Sequence, residues 1–121
     1  MSDVTHEIKL WHELATVIRK ALHPERSDAF VVYFTLGEQI SSTLPIDKQW
    51  QLYLSQLHLL LSTIEDQNVP AHWRRMCFEC VHRPLLSLKQ ISKEYVHGAQ
   101  IRDLYISVNQ QLNTAFTQTP F

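Results

Sequence analysis

From its first residues the chain spaces apolar side chains in steps of four and three. Val4, Ile8, Trp11, Ala15, Ile18 and Leu22 follow that rule, which lays them along one stripe of an α-helix. Leu14 and Ala21 widen the stripe. Ser2 or Asp3 is expected to cap its start, because short oxygen-bearing side chains accept from the free N–H groups there. His23-Pro24 is expected to end it, since the residue before a proline is pushed out of the α region.

Residues 27–44 carry two signals. Phe30-Val-Val-Tyr-Phe-Thr is β-branched and aromatic, a composition that suits strands. Yet Phe30, Phe34, Gly37, Ile40 and Leu44 keep helical spacing, and Ser27 with Asp28 offers an N-cap. The segment is therefore read as a second helix. Gly37 inside it costs about 1 kcal/mol relative to alanine, unless it permits close contact between helices.

Residues 45–66 predict a long third helix with Trp50, Tyr53, Leu57, Leu60 or Leu61, and Ile64 as its stripe. Leu52, Leu54 and Leu59 carry apolar surface further round, which predicts a central helix. Pro70 sits where a fourth helix begins. Trp73, Met76, Cys77, Cys80 and Val81 form its apolar face, and Pro84 is expected to break or kink it. The pattern resumes with Leu85, Leu88, Ile91 and Tyr95 and stops at His97-Gly98, a plausible C-cap. A last helix over 99–117 shows Ile101, Leu104, Tyr105, Val108, Leu112 and Ala115 or Phe116. The tail, about 118–121, is expected to be loose.

These elements predict one all-α domain over residues 1–121, a compact helical bundle or orthogonal array of about five helices. The chain has 121 residues and only two glycines, too few for the tight turns of an all-β fold. Apolar residues are 45 % and charged residues 19 %, an ordinary globular balance. The longest apolar run, about residues 52–64, is interrupted by Ser55, Gln56, His58 and Ser62. It falls short of the ~20 apolar residues of a membrane span, so no membrane partner is expected. The opening residues show no basic stretch followed by an apolar run. A cytoplasmic location is the expectation.

Candidate chemistry is sparse. Cys77 and Cys80 form a Cys-x-x-Cys pair, half of a zinc site or a redox motif. Both sit inside the predicted fourth helix on its apolar face, where His72 and His82 point elsewhere. They are read as core cysteines, with a metal role as the weak alternative. His12-Glu13-Leu-Ala-Thr16 begins like a helical zinc-protease motif but has Thr16 where the second histidine belongs. No glycine-rich phosphate loop, nucleophile elbow or paired-carboxylate site is visible. A non-enzymatic protein without cofactor or metal is expected.

Charge layout changes the picture more than the net charge of −1. Residues 1–68 hold five Lys/Arg against nine Asp/Glu, a net of −4; residues 69–102 hold six against two, a net of +4. That basic stretch suggests a contact face of Arg74, Arg75 and Arg83 with Trp73 as an aromatic anchor. Reversing Arg74 and Arg75 to glutamate is then expected to weaken partner capture and leave helicity intact. The function expected is a protein-interaction module, an adaptor, regulator or chaperone, whose partner is another protein or a second copy of itself. The alternative is a DNA-binding regulator. Residues 88–104 resemble a helix-turn-helix, with Ser92 as the small residue and Gly98 in the turn. On that reading Lys89, Lys93, Gln100 and Arg102 meet nucleic acid.

Overall fold

A computed structural model describes residues 4–94 and 100–118. Among these described residues six helices follow one another: α1 Val4–Lys20, α2 Asp28–Ser41, α3 Ile46–Glu65, α4 Ala71–Cys80, α5 His82–Ile91 and α6 Ile101–Gln118. No strand occurs among the described residues, so the fold is all-α, as the periodicities predict. No described helix is long and apolar enough to cross a membrane.

The central helix is α3, which packs against each of the other five. The breadth of its apolar surface explains this: Trp50, Leu52, Tyr53, Leu57, Leu60, Leu61 and Ile64 are all buried. α1 and α2 form an antiparallel hairpin on one side of it, with Trp11 stacked on Tyr33 at 5.3 Å between ring centroids. α4, α5 and α6 cover the rest. The strand-like stretch in α2 is helical because Phe30, Tyr33, Phe34, Gly37 and Ile40 share the face that enters the core. Gly37 is indeed a close approach. A Cβ there would collide with the Gln56 side-chain amide of α3 and stand 3.1 Å from Trp11 Nε1 of α1.

Helix ends depart from expectation in instructive ways. α1 stops at Lys20, ahead of His23-Pro24, because Ala21 adopts a positive φ of 50°. Leu22 N–H then donates back to Val17 O at 3.1 Å and Ala21 N–H to Ile18 O at 3.3 Å. That is a Schellman ending with alanine where glycine is usual. Ser27 does not cap α2: its backbone is helical and its side chain makes no capping bond. Asp28 pairs with Arg26 instead, at 2.9 Å. The proposed capping residues of α1, Ser2 and Asp3, lie outside the described residues.

Pro45 and Pro70 stand at the N-caps of α3 and α4. Pro84 acts one turn upstream of itself. It has no N–H to give the Cys80 carbonyl, and its ring crowds that carbonyl. α4 therefore ends at Cys80, and α5 starts at His82 across a single residue, Val81, that stays helical at φ −56°, ψ −34°. The helix is interrupted there, and Pro84 is buried in the first turn of α5. α5 ends at Ile91, earlier than Tyr95; the expected stop at His97-Gly98 lies outside the described residues, as does most of the tail, residues 119–121.

Candidate functional site

Two residues expected on the contact face are core residues. Trp73 is 0 % exposed, and its indole N–H donates to Ile18 O at 2.8 Å. Arg74 is 2 % exposed, and its Nε donates to Ile64 O at 2.7 Å. Ile18 lies in the last turn of α1 and Ile64 in the last turn of α3. Carbonyls at helix C-termini lack partners inside their own helix. Consecutive residues of α4 thus satisfy the ends of two other helices, and a cation suits the negative end of α3. This corrects the expected surface role of Trp73 and Arg74. It also overturns the expectation that reversing Arg74 leaves the helices intact, because a buried glutamate there would face a carbonyl oxygen. Sequence reasoning counted both residues as charge and aromaticity without asking which helix ends lacked donors.

The other two expected contact residues separate. Arg75 is exposed and pairs along its own helix with Glu79 at 3.6 Å, a contact of little energetic weight. Arg83 moves to α5, where its guanidinium lies 4.6 Å from the centre of the Phe34 ring and 3.4 Å from Glu38. There it closes one side of a cleft of about 340 Å³ between α2, α3 and α5. Tyr53, Gln56, His82, Leu86, Ser87 and Gln90 line the rest. Gln56 is 2 % exposed, and its Nε2 has no hydrogen-bond partner. His82 Nδ1 lies 2.8 Å from Glu79 O.

On the opposite flank of α5 runs a second depression, a groove of about 470 Å³ lined by Lys89, Ile101, Arg102, Tyr105, Ile106 and Asn109. It brings together Lys89 and Arg102 from the nucleic-acid set. Gln100 lies apart from them, with Trp50, Leu54, His58 and Asp103. Lys93 falls beyond the end of α5. Residues 92–100 separate α5 from α6, against the roughly three or four residues of a helix-turn-helix turn.

Between cleft and groove stands the outer face of α5. Each residue of a helix turns about 100°, so Arg83, Leu86, Lys89 and Gln90 point within one outward arc. Leu86 is 51 % exposed at its middle. The helix sequence, His-Arg-Pro-Leu-Leu-Ser-Leu-Lys-Gln-Ile, holds no acid. This face therefore presents an exposed leucine with a cation on each side.

The cysteines offer little chemistry. Cys77 is buried, and its surroundings push the thiol up to about 12, mainly through desolvation. Cys80 is half-buried and raised for the same reason. Both shifts favour the protonated thiol, which works against nucleophilic attack by either. Among the described residues no three His, Cys, Asp or Glu gather as a metal-binding group. No family model matches this chain, and neither a curated protein nor a solved structure does.

Proposed function

We propose that the protein is a non-enzymatic, cytoplasmic protein-interaction module, an adaptor, regulator or chaperone, and that its contact surface is the outer face of α5. The observation that carries this reading is Leu86, half exposed on a helix without acids and flanked by Arg83 and Lys89. Burying the exposed half of this leucine on association contributes about 1 kcal/mol, and flanking cations select an acidic partner and speed encounter. The test is capture from source lysate by tagged wild type, Leu86→Asp and Lys89→Glu, with and without nuclease. A discrete protein retained by wild type after nuclease, and lost with Leu86→Asp, supports the reading. Identical capture by all three variants removes the face.

A second reading, a DNA-binding regulator, draws on the convergence of Lys89 and Arg102 along one groove. It requires partners that vanish with nuclease and duplex binding that weakens steeply with salt.

A further inference from the structure

The groove between α5 and α6 has a more specific shape and chemistry than an exposed patch. Its α6 wall consists of Ile101 and residues 102, 105, 106 and 109, the last four spaced three, one and three apart. That spacing is one face of a helix over two turns, a trough about 10 Å long at ~1.5 Å per residue. Ile101 and Tyr105 are half-buried along it, and Ile106 is 48 % exposed. Lys89 stands on the α5 bank and Arg102 on the α6 bank, both exposed. Neither enters an ion pair among the described residues. Among the described residues no carboxylate lines the groove.

An apolar trough with an uncompensated cation on each bank complements a helix that presents an apolar row between carboxylates. We propose that this groove docks an acidic amphipathic helical segment of a partner protein. Its apolar side chains seat on Tyr105 and Ile106, and its carboxylates meet Lys89 and Arg102. The mode is helix-in-groove recognition, where apolar anchors at helical spacing supply affinity. Nucleic acid fits the pair of cations but not what lies between them, because phosphates gain nothing from Ile106. The proposal rests on the protein-interaction reading and adds the chemistry of the partner and the place it docks.

The test is a backbone-amide NMR titration of the full chain with helical peptides whose apolar row is Leu, Phe or Trp. Each peptide is made with Glu flanks and, as its neutral counterpart, with Gln flanks. The expected result is saturable shifts at Lys89, Ile101, Arg102, Tyr105 and Ile106. At least one Glu-flanked peptide binds about tenfold tighter than its counterpart. Lys89→Glu with Arg102→Glu abolishes that preference, and Ile106→Asp abolishes binding. Lys48→Glu, an exposed lysine in the first turn of α3, makes the same kind of charge change outside the groove and leaves binding unaltered. The proposal is overturned if no peptide saturates these amides, if Gln and Glu versions bind alike, or if duplex DNA occupies the groove in preference. Peptide shifts confined to the Phe34–Arg83 cleft overturn the groove while the interaction reading stands. A lysate partner lost with Leu86→Asp but indifferent to Arg102→Glu does the same.

Discussion

At Gly37 a methyl group would enter space already taken by the Gln56 amide and by Trp11 Nε1. Two effects of opposite sign meet there. Helix propensity favours alanine over glycine by about 1 kcal/mol. Forcing a methyl into a filled core costs about 1–3 kcal/mol. Gln56 is buried with little room to swing, and the indole is rigid, so the overpacking cost wins. Gly37→Ala is expected to lower stability in urea unfolding. In a Gln56→Ala background the same change is expected to become neutral or stabilising, because the colliding amide is gone. If the loss persists at full size without Gln56, this account of the glycine fails. The sequence marks Gly37 as an oddity in a helix; its reason resides in two residues 26 positions before and 19 after it, Trp11 and Gln56.

At the scale of elements, α4 works as a clasp. Trp73 ties it to the end of α1, Arg74 to the end of α3, and His72 Nε2 lies 3.1 Å from Pro24 O in the α1–α2 connection. Arg74 and Arg75 are neighbours in sequence with opposite fates. Arg74→Met is expected to cost about 1–3 kcal/mol, the usual loss when a buried acceptor is left without its donor. Arg75→Met is expected to stay within about 0.5 kcal/mol, as surface changes usually do. Chemical denaturation of the two variants checks this, and equal losses would refute the clasp. Periodicity places the helices and most of their faces, and it puts Trp73 on the buried stripe. It says nothing about which carbonyls at the ends of α1 and α3 need donors, since those lie 55 and 10 residues away along the chain.

For the molecule as a whole, one ion pair between elements distant in sequence sets a pH response. Arg19 near the end of α1 bonds Asp66 just after α3 at 2.7 Å. That bond, with the Asn68 N–H, holds the Asp66 carboxyl below its ordinary range. A lowered folded pKa means the stabilisation is full above the unfolded value, about 4. It is lost as pH falls through the lower folded value. Asp66→Asn is therefore expected to be less stable than wild type at neutral pH. The gap should close on acidification below about pH 4. Thermal unfolding across pH checks it, and a gap that is independent of pH would discard the ion pair as its cause.

The sequence alone determined the all-α class, the central place of the third helix, the prolines at the starts of α3 and α4, and the burial of Trp11 and Trp50. These depend on spacing along the chain, and a helix converts spacing into faces by its own geometry. Tertiary structure alone decided that the Trp73 indole reaches the last turn of α1. It also decided that Arg74 turns inward while Arg83 rests on Phe34, and that Lys89 and Arg102 face each other across a groove. Each of these depends on which atoms of distant helices come within hydrogen-bonding or packing distance. A cation count in sequence cannot distinguish a side chain that completes a neighbouring helix from one left for a partner.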